Sequence, residues 1–177
     1  ERFRGARMAA ESDHSEISID DFKAGMRQLA ASVTIITVCY EGEQDGLTAT
    51  AACSVSAKPP QLLICVNQEA GAHDLIKESG AFGVNILARD QEDIAMRFAG
   101  MDGTDRNDRF GLGSWTDIAT GAPVLEGALV GFDCTIADSV TAGTHTIFIG
   151  RIVGIQHQQG APLLFGNGEF TGLANQG

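Results

Sequence analysis

The 177-residue chain lacks a basic surplus: Asp and Glu outnumber Lys and Arg by 23 to 12, for a formal net charge of −11. This argues against sequence-independent nucleic-acid binding, which needs a basic surface. A phosphorylated small molecule stays allowed, because a few local donors can hold one phosphate. No apolar run reaches the roughly 18 residues of a membrane helix, and the charged N-terminus has no apolar segment of a secretory signal. No membrane association is expected, and the expected location is cytoplasmic. The four cysteines, Cys39, Cys53, Cys65 and Cys134, form no CxxC pair. Three lie in apolar, strand-like runs, so they are read as small buried hydrophobes in a reducing compartment, without zinc or a disulfide framework. His14, His73, His145 and His157 have no metal-ligand spacing. No GxGxxG joins a strand to a helix, and Walker A, HExxH and GxSxG motifs are missing.

What is present is a succession of β-branched runs with short links. Residues 1–17 are expected to form a disordered tail and 18–177 one domain. Ser18-Ile-Asp-Asp reads as a helix start, with Phe22, Met26 and Leu29 on one packing face to about Ala30. Val33–Tyr40 and Gly46–Ala52 read as paired strands across an acidic turn. A bend at Ser54–Lys58 follows, and then a strand, Gln61–Val66, with Pro59 and Pro60 outside its ladder. A helix over His73–Ser79 stops at Gly80, and Ala81–Leu87 is a further strand. Asp90 is expected to cap a helix over Gln91–Ala99. Gly100–Gly113 is a long polar loop with Arg106 and Arg109. Leu129–Ala137 alternates, with Gly131, Asp133 and Thr135 on the polar face. His145–Ile155 and Pro162–Phe165 complete the strands, and the end is read as frayed. The crossover helices of a parallel sheet are missing. The fold class is therefore mainly β, an antiparallel, Greek-key-like barrel with short flanking helices.

The chemistry-bearing candidates each carry two readings. Thr48, Thr50, Ser54 and Ser56 either cap backbone groups at a turn or form a cradle for an anion and a flat ring. In the cradle, the donors are the Thr48 and Ser54 hydroxyls and the N–H groups of Ala49, Thr50, Ala51 and Val55. His145, where a Gly-containing turn enters a strand, is either a solvated strand end or a donor beside a bound reductant. Asn85, in an apolar strand, must be hydrogen-bonded to protein or to ligand. Arg106 and Arg109 either clamp a pyrophosphate or are solvated.

A family resemblance rests on an ordered set of segments. They are Arg27–Thr37, Gly46–Ser56, Pro59–Asn67, His73-Asp-Leu-Ile, Phe82-Gly-Val-Asn-Ile-Leu, Arg97-Phe-Ala-Gly, Arg109-Phe, Phe132-Asp-Cys-Thr-Ile and Gly143-Thr-His-Thr-Ile-Phe-Ile-Gly. In this order the chain, from about Phe22 to Phe170, resembles the short-chain flavin reductases of two-component flavin-dependent monooxygenases. The resemblance implies an FMN-binding split barrel, usually a homodimer with flavin near the subunit interface. It implies an enzyme that uses NADH or NADPH to reduce FMN or FAD by hydride transfer at N5, then releases it to a separate monooxygenase, in aromatic compound degradation. Carried over by position, Thr48, Ala49, Thr50, Ala51, Ser54 and Val55 hold the flavin. Asn67, Ala72, His73, Phe82 and Asn85 lie along the same pocket, and His145 stands near the nicotinamide as the catalytic residue. Two positions depart from the family pattern: Thr144 replaces a frequent Asp, and Ser32 a basic residue. The alternatives are a non-catalytic flavin- or haem-binding sensor or carrier, or a split-barrel flavoenzyme with tightly bound FMN and its own substrate.

Overall fold

The structure, a computed structural model, describes residues 16–174; most of the expected N-terminal tail lies outside them. Helix α1, Ile19–Met26, opens on Ser18, whose hydroxyl accepts from the Asp21 N–H. It ends at Met26 rather than near Ala30, and none of its residues is buried. The expected packing face, Phe22, Met26 and Leu29, is exposed on this chain.

Strand β1, Ala31–Ser32, leads into β2, Thr34–Tyr40, and β3, Glu43–Ala49, forms a hairpin with β2. The chain then bends at Thr50–Ala51 and enters β4, Ala52–Ala57, which pairs with β5, Pro60–Asn67. The expected bend at Ser54–Lys58 is thus mostly strand, and the turn is only Lys58-Pro59. Pro60 is the first residue of β5, opposite Ala57, at a ladder end where its missing N–H is tolerated. Small hydroxyl residues at 54–56 gave a turn signal that cross-strand pairing overrides.

Helix α2, Gly71–Ser79, is stopped by Gly80 at φ 68°, a left-handed conformation that glycine adopts freely. Strand β6, Ala81–Ile86, follows. Helix α3, Glu92–Phe98, takes Gln91 as its N-cap rather than Asp90; the Gln91 side chain accepts from the Ala88 N–H. The polar loop folds into a 3₁₀ turn, Arg106–Gly111. Its arginines are engaged within the chain, Arg106 from an exposed position and Arg109 from a largely covered one. Arg106 pairs with the buried Asp45, and Arg109 donates to the Gly46 carbonyl at 2.9 Å and lies 3.6 Å from Asp45. The strands β7, Trp115–Thr116, and β8, Val124–Leu125, form a small pair. Two long strands, β9, Val130–Ala142, and β10, His145–His157, form a hairpin. On β9 the polar face is covered: Asp133 is fully buried and accepts from the N–H groups of Ala119 and Thr120.

The end expected to fray carries one more hairpin, β11, Leu164–Gly166, with β12, Glu169–Thr171. Its turn, Asn167-Gly168, has φ 52° and 84°, the positive-φ pair that an Asn-Gly hairpin provides.

The main sheet runs β3-β2-β6-β9-β10-β5-β4, with every neighbouring pair antiparallel, as the strand-rich pattern predicts. Its terminal strands, β3 and β4, are consecutive in the chain and joined by the Thr50–Ala51 bend, yet no ladder connects them. The barrel is split along this seam. Its interior is filled by Ile36, Val38, Ile64, Val66, Phe82 and Phe148, with α2 plugging one side through Ile76. Burying each such side chain is worth about 1.5–3 kcal/mol. A second apolar cluster, around Phe98, Leu87 and Leu163, seats α3 and the 3₁₀ turn on the outside of β2. Among the described residues, no helix is long and apolar enough to cross a membrane.

Candidate functional site

The seam leaves the outer edges of β3 and β4 without strand partners among the described residues, so backbone N–H and C=O groups there, apart from the Gly46 carbonyl taken by Arg109, are open to a ligand. Two clefts follow these edges. The first, about 370 Å³, is lined by Thr48, Ala49, Thr50, Ala51, Asn67 and His145 among others. The second, about 550 Å³, runs along β4 past Ser54, Ser56 and Cys53 to Ser32 and Thr34. Both have the size of small-molecule sites. A third hollow, about 700 Å³, lies under α1 and shares Thr50, Ala51 and Phe165 with the first. Another of about 700 Å³, between Arg89–Gln91 and Gln158–Ala161, holds none of the predicted residues. Its glutamines already bond to backbone, Gln91 accepting from Ala88 and Gln158 donating to Gly127.

His145 is the first residue of β10 and stands opposite Asn67, the last residue of β5. Strand alternation turns Thr146 and Phe148 into the barrel, so His145 and Cys65 face the cleft. The His145 ring bonds Thr144 through Nδ1 at 2.9 Å, and the His145 carbonyl accepts from Gln68. Asn67 is held by its own turn, its side-chain oxygen accepting from the Glu69 N–H at 2.9 Å.

The predicted residues divide. Six of them, Thr48 to Ala51, Asn67 and His145, share one cleft, and Ser54 lies in the next. Val55 is the extra residue of a β-bulge between Ser54 and Ser56. The bulge turns its side chain outward and leaves its backbone out of the regular ladder. Thr48 differs from expectation as a donor: its hydroxyl donates to the Ala95 carbonyl at 2.7 Å, so that proton is already used. The exposed Thr50 and Ser54 hydroxyls donate to no atom of the described chain.

Ala72, His73, Phe82 and Asn85 do not line either cleft, because burial claims them. Ala72 and Phe82 belong to the barrel core. Asn85 is 0% exposed; its amide donates to Ile35 O at 3.1 Å and accepts from the Leu125 N–H at 2.8 Å. His73 is buried with both ring nitrogens engaged, by Asp74 and Thr146. Strand periodicity alone does not say which face of a strand buried on both sides meets a ligand.

The sequence reading missed the aromatic wall. Phe165 and Phe170 line the first cleft and pack edge to face at 5.4 Å. The Asn167-Gly168 dipeptide between them is the signal that would have exposed this hairpin. Val33 and Met101 complete the apolar lining. At Gly71, the start of α2, a Cβ would fall 2.0 Å from the Arg106 guanidinium, so a side chain there would displace Arg106 from its place beside Asp45.

The electrostatics disfavour thiol chemistry. Burial, with a smaller contribution from Cys53, pushes the Cys65 thiol up, and burial with the Asp133 charge pushes Cys134 up to about 12. Asp45 holds the Arg106 guanidinium above its usual range. Hydrogen bonds from Arg97 and the Thr104 N–H bring Asp102 down to about 2. Because only thiolates react, a thiol reagent applied to the native protein should modify the exposed Cys53 first and Cys134 only after unfolding. Peptide mapping of the modified protein checks the order; early labelling of Cys134 would contradict the buried assignment.

The donor set fits a flavin. An apolar cleft with aromatic walls suits a flat ring, and free hydroxyls and edge N–H groups suit ribityl and phosphate oxygens. Among the described residues, no group of His, Cys, Asp and Glu is arranged to hold a metal ion.

Comparison with known proteins agrees. The flavin reductase like domain model matches residues 26–174. The chain is 42% identical over 143 residues to the FMN reductase (NADH) RutF of Pseudomonas syringae, covering 81% of this chain and 79% of that one. It superimposes on BorF, the flavin reductase component of a bacterial two-component tryptophan halogenase. The TM-score is 0.81 at 33% identity, over 90% of this chain and 100% of that chain. It is also similar to the NADH:FAD oxidoreductase SgcE6 of Streptomyces globisporus in complex with NAD and FAD fragments, with a TM-score of 0.82 at 29% identity, over 92% and 99%. The barrel split at β3 and β4, the ordered motifs and these matches have one reading: the chain belongs to the flavin reductase-like family.

Proposed function

We propose that the protein is an NADH-dependent reductase of FMN that hands the reduced flavin to a separate flavin-using oxygenase or related enzyme. The observation that carries this reading is the seam cleft, where Thr50 and Ala51 share an aromatic-walled lining with the paired His145 and Asn67. The Pseudomonas syringae relative is named for FMN and NADH, and the Streptomyces globisporus structure for FAD with NAD. The flavin, when bound, supplies the hydride-accepting chemistry.

The protein supplies geometry. The open edges of β3 and β4, with the Thr50 and Ser54 hydroxyls, hold the polar end of the flavin. Phe165 and Phe170 give the ring an apolar wall and exclude water. His145, its ring bonded to Thr144 and its carbonyl accepting from Gln68, presents the ring where the nicotinamide must stack to reach the flavin. Among the described residues, no dense cationic clamp lines these clefts, since Arg106 and Arg109 are committed to Asp45 and Gly46. A light grip suits a flavin that must leave.

A homodimer is part of the proposal. Ile19, Phe22, Met26 and Leu29 are exposed, and three of them border the hollow beside Thr50 and Ala51. A second copy covering this stripe would bury apolar surface next to the flavin. A cytoplasmic setting accords with the four unpaired cysteines. BorF serves a tryptophan halogenase, which accords with an aromatic substrate for the partner enzyme.

The test is turnover of NADH with excess free FMN, followed by NADH absorbance. Many turnovers per protein support the reductase; stoichiometric flavin binding without turnover would leave a binding module instead. Ser54→Val should weaken FMN binding about five- to tenfold by removing a free hydroxyl donor. Fluorescence titration reads this, and an unchanged affinity would remove Ser54 from the site.

A further inference from the structure

We infer that His73 is a positioning residue for hydride transfer, acting through Thr146 on His145; the inference rests on the reading of His145 given above. His73 lies on α2 inside the barrel wall. Its Nδ1 is 2.8 Å from Asp74 Oδ1, and its Nε2 is 2.8 Å from Thr146 Oγ1. Asp74 carries only acceptors when ionised, so the Nδ1–H donates to it. Nε2 is then left to accept from the Thr146 hydroxyl. The ring also packs at 5.6 Å against Phe148, two residues further along β10.

Thr146 and His145 are adjacent on β10, and their side chains point to opposite faces. A hydrogen bond that anchors Thr146 on the inside therefore sets the position of His145 on the outside. His145 needs such an anchor. It directly follows the Gly143-Thr144 turn, and among the described residues its ring is held only by the exposed neighbouring Thr144. The inner tie fixes the strand start that this ring hangs from.

A packing role alone would not need this chemistry. Two apolar residues of matching shape would fill the same interior space without desolvating an imidazole, a hydroxyl and one edge of a carboxylate. The direction of the Asp74–His73–Thr146 chain, running from the exposed start of α2 into the first turn-proximal residues of β10, is what a positioning device requires.

The test is a double-mutant cycle. Thr146→Val and His73→Gln are made alone and in a His145→Ala background, with Thr146→Ser as the conservative variant. The measurements are the anaerobic rate of flavin reduction at saturating NADH and the FMN dissociation constant by fluorescence. Thr146→Val should slow reduction about tenfold, with FMN affinity within about twofold, and Thr146→Ser should recover most of the rate. In the His145→Ala background, Thr146→Val should change the rate less than about twofold, because the residue it positions is gone. An equal loss in both backgrounds, or a loss confined to FMN affinity, overturns the inference and leaves the pair as packing. If His145→Ala reduces flavin as fast as the parent, the reading of His145 fails and the inference falls with it, an outcome distinguished by that single variant. Where Thr146→Val does not fold, His73→Gln completes the same cycle.

Discussion

His145→Ala is expected to slow flavin reduction by NADH about thirty- to a hundredfold while changing FMN affinity by less than about threefold. The expectation follows from where the ring sits. His145 lines the seam cleft across the ladder from Asn67, while Ser54 lies in the neighbouring cleft along β4; in the proposed arrangement the Thr50 and Ser54 hydroxyls hold the polar end of the flavin and His145 meets the reductant. Losing the ring removes a contact to the reductant and leaves the flavin cradle intact. The affected parameters should be the reduction rate and the KM for NADH. Stopped-flow reduction and equilibrium titration of the same variant separate the two, and a collapse of FMN affinity with an unchanged rate constant would reverse the assignment.

Asn85→Leu is expected to act on stability. The Asn85 amide is fully buried and bridges the Ile35 carbonyl to the Leu125 N–H, joining β2 to β8 near the end of β6. Leucine has similar bulk but leaves the Leu125 N–H unpaired in an apolar setting, at about 1–3 kcal/mol, while the Ile35 carbonyl keeps its ladder bond to the backbone of residue 85. A loss near 2 kcal/mol should lower the melting temperature by about 4–8 °C for a chain of this size. Flavin affinity of the folded protein should change little. A variant with an unchanged melting temperature and lost flavin binding would return Asn85 to the site.

These two residues show how far the sequence could be read. Asn85 and His145 both stood out as polar groups in β-branched surroundings, and the family motifs include both. Residue type says that a buried amide needs partners; it does not say whether the partners are backbone or ligand. For Asn85 the partners come from Ile35, 50 residues earlier, and Leu125, 40 residues later. Thr48 is a similar case, since the α3 carbonyl that takes its proton is 47 residues away. His73 was placed in the pocket by resemblance, and α2 instead aims it inward at Thr146.

Local chemistry alone determined much of the rest. β-branched runs with short links made an antiparallel barrel the expected architecture, because crossover helices were missing. Small hydroxyl residues at 46–56 marked the stretch that becomes the seam, and Gly80 marked the end of α2. These signals depend on neighbours within a few residues, so the sequence carries them directly. Only the tertiary structure decided that β3 and β4 end the sheet without pairing, which leaves their edges open for a ligand. It also decided that Arg106 and Arg109 are taken by Asp45 and Gly46, and that Phe165 and Phe170 close the cleft. Each of these joins segments far apart in the chain, and which segments meet is a property of the closed barrel and not of any local pattern.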